Sequence, residues 1–202
     1  MTSLPGSLPE DLAGSGGTDV PEVHFRPFDR WQADDHREEL ADLYVAASPA
    51  TPGEEYQRRE DFLARLEADT RRPGFTMFIA ETSTLVACAY GYLVDRDGSW
   101  WPELETGLPP SVEQLTAAGE VFAVAQLMVL ADHRRSGIGA SLRDQLLSDQ
   151  EATVGVTLVE QADDDGLAVC RAWGWQDIGG TAATMDGPPL RAFVQPLERS
   201  DR

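Results

Sequence analysis

After a stretch rich in glycine, serine and proline over residues 1–21, apolar residues first recur in the segment VHFRPF, residues 23–28, which predicts a short strand. Leu40, Leu43, Tyr44 and Ala47 fall at helical spacing within residues 31–48, and Pro49, Pro52 and Gly53 break that pattern. A second helix is predicted over residues 54–70, with Tyr56, Phe62, Leu63 and Leu66 towards one side, ending before Pro73 and Gly74. The pattern then changes. Residues 75–95 read as two apolar strands around the turn Thr82-Ser83-Thr84, an antiparallel hairpin. Residues 96–119 form a connection longer than most in compact domains, of the kind that serves as a lid or stays disordered. The segment EVFAVAQLMVL, residues 120–130, is apolar at both parities, as a central strand covered on both faces must be. Ile138, Leu142 and Leu146 then share a helical face, VGVTLVE (154–160) reads as a buried strand and DGLAVCRAW (165–173) as a short helix. Two strands, 175–178 and 190–194, close the series. The order β-α-α-β-β-β-α-β-α-β-β predicts one mixed α/β domain over residues 22–198, preceded by a disordered leader over 1–21.

Composition narrows the function classes. A chain of 202 residues supports one sizeable core. No apolar run approaches the roughly 18 residues of a membrane span, and the N-terminal stretch has neither the charge nor the apolar run of a signal peptide, so a cytoplasmic protein with no membrane partner is expected. The formal net charge of −19 argues against a nucleic-acid partner, which needs a basic footprint. That charge would concentrate cations near an open cleft, but it is scattered along the chain, as a solvated acidic surface would be. Cys88 and Cys170 give no disulfide framework, no Cys/His spacing suits zinc, and no metal site is expected. All 16 cationic side chains are arginine.

The residues most informative about chemistry are HRRSGIGASL, 133–142, which join the end of a strand to the start of a helix. The first N–H groups of a helix lack intrahelical partners, and the helix dipole places partial positive charge there. Gly137 and Gly139 remove side chains that would block close approach, while Arg134 and Arg135 add charge-assisted donors. The combination reads as a phosphate cradle; the alternative is a glycine turn that only packs strand against helix tightly. A dinucleotide fingerprint would need a third glycine where Leu142 stands, and no Gly-Lys-Ser/Thr sequence forms a Walker loop.

Arg134-Arg135-Ser136-Gly137-Ile138-Gly139 resembles the Q/R-x-x-G-x-G/A signature of the GNAT N-acetyltransferase superfamily, and the element order matches that family's acyl-CoA N-acyltransferase fold, a mixed central sheet flanked by helices. The stretch WGWQDIG likewise resembles the strand that follows the family's last helix. The resemblance implies acetyl-CoA as donor, with its pyrophosphate on the N–H groups of the turn formed by Arg134, Arg135, Ser136, Gly137, Ile138, Gly139 and Ala140. It implies a pantetheine arm laid along the central strand at Leu127, Met128 and Val129, and direct attack by an acceptor amine in a ternary complex.

This chain departs from the family where a base and an acid are often found. Ala123 and Ala125 cannot titrate, which leaves Glu120 as candidate base, or as a carboxylate at the strand end facing solvent. Gln126 shares its parity but lies roughly 20 Å along the strand, so the two form no dyad. Cys170 stands where the family commonly has a tyrosine acid, and reads either as a weak proton donor or as a core thiol. Asp163, where asparagine is common, would repel a phosphate unless it faces away. His24, His36 and His133 read as surface or packing residues. Trp100 and Trp101 beside Glu103 and Glu105 would either line the acceptor site as a lid or anchor the long connection to the core. The expected function is acetyl transfer to a primary amine of a small molecule, with the acidic balance mildly favouring a cationic amine such as a polyamine or aminosugar. The alternatives are an acyl-CoA-binding protein that senses or partners without transfer, and a protein acetylase. Monomer and homodimer both stay open.

Overall fold

The structure, a computed structural model, describes residues 22–48, 53–148, 150–183 and 187–197; the leader expected over residues 1–21 and the break at Pro49 and Pro52 lie outside them. Seven strands form one sheet: β1 (His24–Phe28), β2 (Thr76–Glu81), β3 (Leu85–Leu93), β4 (Val121–Val129), β5 (Val154–Glu160), β6 (Gln176–Gly180) and β7 (Leu190–Pro196). Their order is β1-β2-β3-β4-β5-β7-β6, and every neighbouring pair is antiparallel except β4 and β5. Alternation along the strands divides the core between two faces. On β2 and β3, Met77, Ile79, Cys88 and Tyr90 join Leu40, Phe62 and Leu66 beneath α2 (Arg37–Ala47) and α3 (Glu55–Asp69). Ala80, Ala87 and Ala89, of opposite parity, join Leu142, Leu146 and Leu167 beneath α5 (Ile138–Ser148) and α6 (Asp164–Ala172).

Three local expectations need correction. The helix expected over residues 31–48 is two helices, α1 (Arg30–Asp35) and α2. Asp29 caps α1 in a capping box with Gln32, and His36 then leaves helical backbone angles at φ −101° and ψ 13°, its ring packing 5.0 Å from that of Phe28. Tyr56 does not join the α3 stripe and is 73% exposed. Six residues at 3.6 per turn rotate it about 120° away from Phe62, so only Phe62, Leu63 and Leu66 reach the core. The long connection holds a helix of its own, α4 (Pro110–Ala118). Pro110 occupies the first turn and Gly119 closes the helix at φ +78°, which are the proline and glycine positions a short helix favours.

Strands β4 and β5 part along their length. They pair only at Val121–Val154, Phe122–Gly155 and Ala123–Val156, and beyond Ala123 no pairing joins them. At the fork, the Thr157 hydroxyl donates to the Val124 carbonyl at 3.0 Å, bonding a main-chain group that no β5 amide reaches. On its other edge β4 stays paired with β3 but carries a bulge: Tyr90 faces Gln126 and Gly91 faces Val124, leaving Ala125 as the extra residue. Gly91 is required there, because a Cβ would lie 2.1 Å from the Ala123 carbonyl oxygen. The bulge lets Ala125 and Gln126 both turn towards the α3 face, just where β4 leaves β5.

Candidate active site

Two half-sites meet at the β4–β5 fork. On the α5 side, a short 3-10 turn (Ala131–His133) carries the chain from β4 into the turn that opens α5. Arg135 takes φ +62° and Gly137 φ +88°, so the backbone reverses twice before Ile138 starts the helix. At Gly137 that angle favours glycine, and a Cβ there would meet nothing within 4 Å. A Cβ at Gly139 would make only ordinary contacts, at 3.6–3.7 Å, with Leu127, Val129 and Trp173. Neither glycine is therefore forced by close packing of the turn against the protein. The space beside Gly137 stays open, next to the first amides of α5, which have no helical acceptor, and such amides can receive an anion's oxygens.

The side chains of this turn divide their work. Arg134 is exposed but tied down: its Nε donates to the Val129 carbonyl at 3.3 Å and its Nη2 donates to the carbonyl of Ala47, the last residue of α2. These bonds fasten the turn to the end of β4 and to a helix on the opposite face. Ser136 donates to the His133 carbonyl at 2.6 Å and Ile138 is buried in the core, so both shape the turn, while Arg135 is exposed. Leu127 and Val129 pack towards α5 and Met128 towards α2 and α3. What these three residues offer a ligand is main chain along the open edge of β4. Arg143 of α5 stacks over Trp173, 4.6 Å from the centroid of the ring that a Cβ at Gly139 would touch.

On the α3 side lies a cavity of about 230 Å³. Ala125 and Gln126 of β4 and Leu158 of β5 form its inner edge, at the fork. Tyr90 and Tyr92 of β3 form its floor, Trp100 one wall, and Arg65 and Asp69 of α3 its charged rim. The Trp100 indole N–H donates to the Tyr92 hydroxyl at 3.2 Å. Arg72 places its guanidinium 4.7 Å from the centre of the Tyr92 ring, pairs with Asp95 at 2.6 Å and reaches Asp69 at 3.5 Å. The side chain of Asp69 is 15% exposed. Burial raises its pKa, against the opposing pull of Arg72, Arg65 and the two tyrosines. Burial likewise raises the Tyr90 and Tyr92 hydroxyls, with the Asp69 carboxylate adding to the effect. A second cavity of about 250 Å³ lies by the β2–β3 turn, where Arg26 and Glu81 pair at 2.9 Å, and does not touch the fork.

The remaining sequence candidates scatter. Glu120 precedes β4; its carboxylate accepts from the Thr153 hydroxyl, and its carbonyl accepts from Thr153 and Val154 amides. Five residues of strand, about 16 Å, separate it from Ala125. Cys170 lies on α6, 7% exposed in the α5-side core, and burial pushes its thiol up to about 11. Asp163 caps α6, its carboxylate accepting from the Gly166 amide at 2.9 Å. The two tryptophans, packed edge to face at 4.9 Å, part company: Trp100 lines the cavity, while Trp101 donates to the buried Thr116 of α4 at 3.0 Å and anchors the connection. Arg65, Asp69, Tyr90 and Tyr92 were not singled out by the sequence. Two signals were there to be read, phenols two apart on an otherwise aliphatic strand and opposite charges four apart on a helix. Among the described residues there is no His/Cys/Asp/Glu cluster suited to a metal, and no helix long and apolar enough to cross a membrane.

Known proteins place this geometry. The chain is similar in structure to a protein from Pyrococcus horikoshii, with 13% identity over 88% of this chain and 100% of the other and a TM-score of 0.62. It is similar to an acetyltransferase from Thermus thermophilus, with 16% identity, 87% and 97% coverage and a TM-score of 0.53. It is also similar to the ribosomal-protein-S18-alanine N-acetyltransferase of Escherichia coli, with 12% identity, 89% and 96% coverage and a TM-score of 0.53. At such identities these likenesses speak for the fold. No curated protein matches the chain in sequence. The family model described as "Acetyltransferase (GNAT) family" matches residues 29–173, from the cap of α1 to the end of α6, and the chain belongs to that family.

Proposed function

We propose that the protein transfers an acetyl group from acetyl-CoA to a primary amine of a small molecule, by direct attack in a ternary complex. One observation carries the reading: the fork between β4 and β5 joins an open anion cradle on one side to a cavity on the other. Amides from Arg135 to Ala140 would hold the pyrophosphate, and the unpaired edge of β4 from Leu127 to Val129 would pair with the pantetheine amides. Acetyl-CoA, when bound there, supplies the acyl thioester. The protein's own part is to hold the amine at the inner edge of the cavity, beside Ala125 and Gln126, and to strip it of water and of its proton.

Glu120 and Cys170 have no direct part in this reading. Glu120 is committed to Thr153 on the paired side of the fork, and a buried thiol near 11 is a poorer acid than an ordinary one. Their placement also favours the second reading, an acyl-CoA-binding protein without transfer activity. Incubation with acetyl-CoA and a panel of primary amines, followed by free thiol release and mass spectrometry of the product, separates the two. The proposal expects N-acetyl product and stoichiometric thiol. Binding of acetyl-CoA with no thiol released above the hydrolysis blank contradicts it.

A further inference from the structure

We propose that the acceptor is a small amino carboxylate, one molecule bearing both an amine and a carboxylate, held between Asp69 and Arg65. The inference rests on the acetyl-transfer reading of the same site and names its substrate class. Arg65 and Asp69 stand four residues apart on α3, so their Cβ atoms lie about 5–6 Å apart on one helical face. Both line the cavity, yet Asp69 takes its ion pair from Arg72 and not from Arg65. Arg65 is instead held at Tyr44, 5.3 Å from the ring centroid and hydrogen-bonded to the Tyr44 side chain, which orients its planar guanidinium beside the cavity with N–H groups to spare. A guanidinium matches a carboxylate in two parallel hydrogen bonds. Asp69, hydrogen-bonded by Tyr90 and Tyr92, offers the complementary pole, and Tyr90, Tyr92 and Trp100 line the same cavity.

Charge and size select among amines. The net charge of −19 would draw in any cation, but the cavity itself is dipolar. A polyamine would bring a second ammonium against Arg65, and an amine with a neutral tail would give Arg65 no anion to pair with. An amino carboxylate satisfies both poles. The volume, about 230 Å³, falls below the roughly 300–1,000 Å³ of pockets for drug-sized ligands, which suits an acceptor of amino-acid size.

Asp69 is also placed to act on the amine. The ammonium gives a proton to the Asp69 carboxylate; the neutral nitrogen then bonds to the acyl carbon while the carbon–sulfur bond breaks and its electron pair leaves on sulfur. The proton on Asp69 and the second proton lost from nitrogen leave one for the departing thiolate and one for solvent. The groups facing Asp69 are Arg65 on its own helix, Arg72 just beyond it, and Tyr90 and Tyr92 from β3, with Trp100 bonded to Tyr92. Burial holds the carboxyl above its ordinary pKa, closer to that of a working base.

The test compares amino acids, including β- and γ-amino acids, with their carboxamides and with diamines of equal length, in the full chain and in Arg65→Gln and Asp69→Asn. Amino acids are expected to exceed both other sets in kcat/KM by about 10- to 100-fold, the range for a charged hydrogen-bonded contact. Arg65→Gln should erase that preference by raising KM for the acids alone. Asp69→Asn should lower kcat by about 100-fold and remove the acidic limb of the pH–rate profile, with acetyl-CoA affinity and melting temperature not reduced. Equal rates for acids and amides, preference for diamines or for peptide N-termini, or an Arg65→Gln penalty equal for acids and amides would each overturn the inference while leaving acetyl transfer intact. Acetyl-CoA binding without transfer to any amine would instead overturn the reading beneath it.

Discussion

The two sides of the fork are built differently. The side proposed for the donor is almost all main chain, drawn from one run of residues between Leu127 and Ala140. The side proposed for the acceptor is all side chain, gathered from α3, β3, the long connection, β4 and β5. A coenzyme with fixed chemistry can be held by backbone amides and an unpaired strand edge, both of which the fold itself supplies. An acceptor that differs from one protein to the next must be recognised by side chains brought from afar. The donor side therefore follows from the architecture, and the acceptor side must be read from this chain's own residues.

The largest expected effect breaks the donor side alone. Gly137→Glu places a side chain at φ +88° and a negative charge in the space an anion would occupy. Acetyl-CoA affinity should fall by about 100-fold or more, a loss of about 2.7 kcal/mol, read by calorimetry, with circular dichroism unchanged. Wild-type affinity in that variant would remove the cradle from the account.

A smaller effect divides the tryptophans. Trp100→Phe removes a cavity wall and the bond to Tyr92, and should raise KM for the acceptor with the donor's KM unchanged. Trp101→Phe removes the bond to buried Thr116, and should cost about 1 kcal/mol in thermal unfolding without moving either KM. The opposite pattern would place the second indole, and not the first, at the substrate.

Asp69 gives a prediction in pH. Its folded pKa lies above the unfolded value, so the native state binds more protons between the two and stability falls as pH rises through that window. At neutral pH the carboxylate thus costs stability, and Asp69→Asn should melt no lower than wild type there and lose any advantage as pH drops below the unfolded pKa. A variant that melts markedly lower at neutral pH would mean that Asp69 holds the fold together rather than serving the site. The smallest effects are expected at Glu120→Gln and Cys170→Ala, which should leave kcat and its pH profile unchanged because neither group lines the cavity. A lost limb of the profile in either would restore that residue to the mechanism.

How much of this was legible in sequence follows the same division. The strand-to-helix turn, the apolar central strand and the hairpin are local patterns, and the structure holds each where the pattern lies. The bulge at Ala125 is not local, since it depends on how Gly91 of β3 meets β4. Strict alternation therefore puts Ala125 and Gln126 on opposite faces, when the bulge turns both to the cavity. Arg134 reads in sequence as a phosphate donor beside its glycines, and its tertiary bond to Ala47, 87 residues away, has no signal in the local pattern. Asp69 and Tyr92 are 23 residues apart, and no spacing rule links a helix end to a strand across that interval.

Calorimetric titration of the full chain with acetyl-CoA, with coenzyme A lacking the acetyl group in parallel, tests the central claim most directly. The account predicts saturable binding of both, because the cradle and the open edge of β4 grip parts that the two molecules share. Absence of saturable heat for either would mean that the fork holds no coenzyme, and the acetyl-transfer reading would fall with it.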